Sequence, residues 1–123
     1  MRRQLFYYPG WVDAWGSAVV PRVAVKLHTS GQYRLVALCD EELLGKEVIH
    51  GRVRVKITRE FFGGVIMEDS SPELEAMILG ADCVTAFGRV CVERLAELFP
   101  SVHDAAVDIG GVPHVQIFKI PTP

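Results

Sequence analysis

The chain contains no asparagine and only three glutamines, Gln4, Gln32 and Gln116. Such a shortage of thermolabile amides leans toward a heat-adapted source. Long apolar runs are missing too: none approaches the roughly 18 residues of a membrane span. Pro9, Gly10 and Asp13 break the apolar stretch that a signal peptide would need after Arg2 and Arg3. The chain therefore reads as cytoplasmic, with no membrane partner. Cysteine is scarce, with Cys39, Cys83 and Cys91 forming no C-x-x-C pair, and an odd count in a reducing compartment argues against a disulfide framework. Cys83 and Cys91 would share a helix face, but further ligands at metal-site spacing are absent. Neither a metal nor a cofactor is expected. No glycine-rich phosphate loop, nucleophile elbow or H-E-x-x-H occurs, so the common enzyme classes leave no signature.

What is present fits one soluble globular domain. The 123 residues are 50% hydrophobic and 23% charged, a length at which folding buries roughly two thirds of the unfolded surface. Period-two alternation marks "RVAVKLH" and "RVRVKIT" as strands with one wet face, and "YRLVALC" follows a Ser30-Gly31 turn as a more central hairpin partner. Gly63-Gly64 and Gly110-Gly111 read as two further hairpin turns. Between them, Ser71 is an N-cap with Pro72 at the first helical position, and apolar residues recur at helical spacing from Leu74 to Leu98. The expected fold is α+β: an antiparallel sheet of about six strands built from hairpins, covered on one side by one long or two consecutive helices across residues 72–99.

The stretch "LCDEELLGKEV" concentrates acids directly after a strand. Asp40 is expected to cap a short helix carrying Glu41 and Glu42 in its first turn and ending at Gly45. The functional alternative is a small ligand-binding or hydrolytic cleft joining Cys39, Asp40, Glu42 and His114. A hydrogen-bonded strand histidine is the favoured reading of His114.

"ALCDEELLGKEV", "FFGG" and "GVPHVQI", in that order, resemble an archaeal family known as domain of unknown function 424, across about residues 22 to 120. Asp82 stands where the resemblance leads one to expect asparagine. The resemblance implies an archaeal cytosolic protein and carries over no catalytic residue or cofactor. It leaves residues 1–21 as a separate N-terminal arm before a single domain over 22–123. The arm holds Phe6, Tyr7, Tyr8, Trp11 and Trp15, a density of aromatics expected to be buried against the domain or against a second copy in a homo-oligomer. Its alternative is a stacking arm for nucleic acid.

The net charge of -2 conceals a polarity. Residues 22–59 carry eight basic against four acidic side chains, whereas residues 60–108 carry two against ten. Alternation would bring Lys26, Arg52, Arg54 and Lys56 to one open sheet face, the candidate surface for RNA or a ribonucleoprotein. A solvated strand with cations that discourage aggregation is the plainer account of the same row. A homo-oligomeric interaction protein without catalysis is the third class that the sequence leaves open.

Overall fold

Alternation along Arg22–Ser30 produces β1, which turns at Gly31-Gln32 into β2 (Tyr33–Asp40), as expected. These strands belong to a computed structural model that describes residues 20–119. The aromatic arm at 1–21 thus falls almost wholly outside the described residues. A single 3-10 turn, Glu41–Leu43, leads to a two-stranded ribbon of β3 (Glu47–His50) and β4 (Val53–Lys56). Next come α1 (Arg59–Phe62), β5 (Val65–Glu68) and α2 (Pro72–Leu79). The chain continues through β6 (Cys83–Phe87), α3 (Arg89–Leu98) and α4 (Val102–Ala105), and ends in the hairpin of β7 (Val107–Ile109) and β8 (Val112–Phe118).

Six strands form the main sheet in the order β5-β1-β2-β6-β8-β7. Every pairing is antiparallel except β2 with β6. The architecture is α+β, as predicted, but three local expectations change. The helical stretch at 72–99 is two helices separated by a strand: "CVTAF" is buried on both faces as β6, and a continuous apolar run of that kind carries no period to distinguish it from helix. Gly63-Gly64 does not close a hairpin. Thr58 caps α1 there by accepting the Phe61 N–H at 3.2 Å, and β5 pairs instead with β1. Finally, "RVRVKIT" stays out of the main sheet, because β4 takes β3 as its partner.

α2, α3 and α4 cover one face of the sheet, packing Leu74, Ile78, Leu95 and Val102 on Val25, Leu38 and Val84. Ile78 and Leu95 are fully buried, each worth about 1.5–3 kcal/mol relative to an exposed side chain. The opposite face, expected to be open, is covered in part. Ala24, Ala37, Cys39 and Phe87 lie beneath Val48, Ile57 and Phe62 of the ribbon and α1. The ribbon tip is held by the β7–β8 turn, whose Gly110 N–H donates to His50 Nδ1 at 3.0 Å. No helix among the described residues is long and apolar enough to cross a membrane.

Candidate functional site

Alternation sends the last residue of β2, Asp40, toward the helical face. Its carboxylate does not cap the 3-10 turn that follows it. It reaches the start of α3 instead, accepting the Val90 N–H at Oδ2 (3.1 Å) and the Cys91 N–H at Oδ1 (3.0 Å). The expected cap is real in kind but serves a helix fifty residues away. Gly88 makes the approach possible: it has φ +113, and a Cβ there would overlap the Asp40 carboxylate. Glu41 forms a two-pronged ion pair with Arg22, at 2.8 and 3.1 Å, and Glu42 is exposed.

Burial pushes the Asp40 carboxyl above the usual aspartate range, outweighing the two backbone N–H groups that favour its charged form. The folded chain therefore holds this proton more tightly than the unfolded one, so stability should fall as pH rises from the ordinary aspartate value of about 4 through the raised folded value. Asp40→Asn keeps one acceptor and cannot ionise. It should flatten that part of a denaturation-against-pH curve; a slope unchanged in the variant would assign it to another group.

Asp40 and Glu42 line a cleft of about 360 Å³ with Gly88, Arg89 and the Gly111–Pro113 segment. Cys39 and His114 are not part of it. They sit on the other face of the sheet, two strands apart, with Phe87 between them in register. Cys39 is fully buried and its thiol is pushed up to about 12, chiefly by desolvation and then by Asp40, which keeps it protonated rather than nucleophilic. His114 donates from Nδ1 to Ala86 O at 2.9 Å and stacks on Phe87 with centroids 4.1 Å apart. The fold thus divides the four candidates Cys39, Asp40, Glu42 and His114 between two faces. No trio of His, Cys, Asp or Glu among the described residues is placed to hold a metal.

The four basic candidates are also divided. Lys26 belongs to β1, where its Nζ donates to Glu60 O at 2.7 Å; beside it, His28 Nε2 donates to Phe61 O at 2.7 Å and stacks on the Phe61 ring. Both side chains close the C-terminal end of α1. Arg54 and Lys56 project from β4 on the ribbon face opposite to buried Val48, and Arg52 occupies the ribbon turn. Arg54 is paired with Glu47 at 2.9 Å and remains well exposed. Sequence alternation missed two more cations at the ribbon base, Lys46 and Arg59, both exposed. The readable signal was Gly45 just before "KEVIH", a residue now seen at φ +84.

Residues 28–120 match the sequence profile of a family described as Protein of unknown function (DUF424). The chain belongs to this family. The DUF424 match covers the whole sheet apart from the first part of β1, and with it both the ribbon and the acids Asp40, Glu41 and Glu42. An uncharacterized conserved protein from Methanopyrus kandleri, an archaeon, has a similar crystal structure, with a TM-score of 0.72 and 27% sequence identity over 83% of this chain and 95% of that one. No curated protein matches the chain. Asp82, at the position where asparagine was expected, accepts the Arg34 N–H at 2.8 Å and joins the start of β6 to β2.

Proposed function

We propose that this DUF424 chain is an RNA-binding module that holds the phosphate backbone against the β3–β4 ribbon. One observation carries the reading: opposite charges lie on opposite sides of the sheet. Residues 46–59 present Lys46, Arg52, Arg54, Lys56 and Arg59, all exposed, against the single acid Glu47. The helical side carries Glu73, Glu75, Glu93, Glu97 and Asp104 against two cations, the exposed Arg89 at the start of α3 and the buried Arg94, which is already neutralised by Glu75 at 2.7 Å and Glu97 at 2.9 Å. A polyanion approaching this dipolar surface is drawn to the ribbon and repelled by the helices. Cations reaching phosphate fix position without reading bases, so recognition should be largely sequence-tolerant.

Titrating a fluorescent single-stranded RNA across a salt series tests the proposal. Binding at low salt that weakens steeply as salt rises supports it, and absence of binding at low salt overturns it. Lys26 separates this surface from the one predicted by alternation. Lys26→Gln should leave RNA affinity and its salt dependence unchanged while lowering stability by about 0.3–1 kcal/mol, since the cation is engaged by the end of α1. A marked loss of RNA affinity in this variant would move the contact surface back to β1.

A further inference from the structure

Where the ribbon leaves the main body, Gly45 and Lys46 together face Ile57. The Gly45 N–H donates to Ile57 O at 2.7 Å, and the Ile57 N–H donates to Lys46 O at 2.9 Å. Two residues opposed to one make a bulge, a device that re-aims a side chain. Directly afterwards Thr58 caps α1, whose first residue, Arg59, lays its guanidinium against Gly45. Bulge and cap enclose a cleft of about 300 Å³ lined by Gly45, Lys46, Lys56, Thr58, Arg59 and Glu60, with Glu47 also on its wall.

The cations here have no structural employment. The side chains of Lys46, Lys56 and Arg59 make no hydrogen bond or ion pair with any described residue, whereas those of Arg22, Lys26, Arg54, Arg94 and Lys119 are all engaged. Glu47 is turned toward Arg54, which leaves Glu60 as the uncommitted acid on the cleft wall. Three cations against one such acid leave an excess of two positive charges. A phosphodiester carries one negative charge, while a phosphomonoester carries about 1.5 to 2 at neutral pH and offers three strong acceptor oxygens. Thr58 Oγ1 accepts from the Phe61 N–H, so its own O–H is left to donate. The volume lies at the lower bound for small-ligand sites, which run from about 300 Å³ upward.

We infer that this cleft is a phosphomonoester site, in which Lys46, Lys56 and Arg59 hold the terminal phosphate of a nucleic acid or a free nucleotide. The nucleic-acid version rests on the RNA-binding reading above; the phosphomonoester site itself does not. The test compares the full-length chain against two short oligoribonucleotides of one sequence, bearing a 5′-phosphate or a 5′-hydroxyl, and against adenosine monophosphate followed by NMR at Lys46 and Arg59. The 5′-phosphorylated strand should bind roughly tenfold tighter, the effect of about one charge-assisted hydrogen bond. The double variant Lys46→Gln, Arg59→Gln should bring the ratio to about one; because both cations also belong to the proposed RNA surface, it should weaken the 5′-hydroxyl strand as well, but less than the 5′-phosphorylated one. Arg52→Gln should preserve the ratio. Equal affinity for the two strands, with no response to adenosine monophosphate, overturns the site even if RNA binds. Shifts at Lys46 and Arg59 with adenosine monophosphate, but no binding of either strand, uphold the site and overturn the RNA reading. Should the double variant fail to fold, the wild-type ratio and the nucleotide titration decide by themselves.

Discussion

Gly88→Ala should lower stability by about 2–4 kcal/mol, the central part of the range set by backbone strain of about 1–3 kcal/mol together with disturbance of a helix cap worth about 0.5–2 kcal/mol. In a domain of this size that corresponds to a fall of roughly 8–16 °C in melting temperature. Two features converge on the residue. Its φ of +113 lies in the region that favours glycine, and a Cβ would overlap the carboxylate of Asp40. Displacing that carboxylate strands the Val90 and Cys91 N–H groups, which it satisfies in a buried setting. A double-mutant cycle separates the two contributions. Asp40→Ala should by itself cost about 1–3 kcal/mol for the unsatisfied donors, and Gly88→Ala should cost less in that background because the space is vacant. Strictly additive costs in thermal or denaturant unfolding would show that Asp40 is not what Gly88 makes room for.

The same pair shows what a single sequence can and cannot convey. An acid directly after a strand was recognisable as a cap, because Asp40 has the right chemistry and sits at a strand end. Its partner was not recognisable, because the helix it serves begins fifty residues later. α3 correspondingly lacks its own start signal: position 88 is glycine rather than serine, threonine or aspartate, so the boundary between β6 and α3 is silent locally. With the boundary hidden, Val84, Gly88, Cys91 and Leu95 fall at helical spacing by coincidence and conceal β6. Where both the turn and the cap are local, the reading succeeds, as at Gly31 between β1 and β2 and at Ser71-Pro72, where Ser71 Oγ accepts the Leu74 N–H at 3.4 Å. The basic surface was half legible for a related reason. Alternation identifies Arg54 and Lys56 as sharing a face with each other, but says nothing about which strand lies beside β4. Only the three-dimensional pairing detaches them from Lys26 and adds Lys46 and Arg59.

Replacing Arg52, Arg54 and Lys56 together with glutamine should flatten the salt dependence of RNA binding. Each phosphate that is no longer neutralised reduces the slope of log affinity against log salt by about 0.7–0.9, so removing all three cations reduces it by about 2–2.7. Raising salt from about 50 to 200 mM should then weaken the parent chain by roughly 20–40-fold more than the variant. The fold should survive, since all three side chains are exposed and the pair they disrupt, Arg54 with Glu47, is a surface ion pair worth about 0–1 kcal/mol. That pair also supplies a check of opposite sign. Glu47 competes with phosphate for Arg54 and adds the ribbon's one negative charge, so Glu47→Gln should tighten RNA binding severalfold at low salt. A mere gain of stickiness would leave the slope untouched, whereas a freed Arg54 should steepen it. If the triple variant binds with the parent slope, or Glu47→Gln weakens binding, the ribbon does not hold the phosphate backbone.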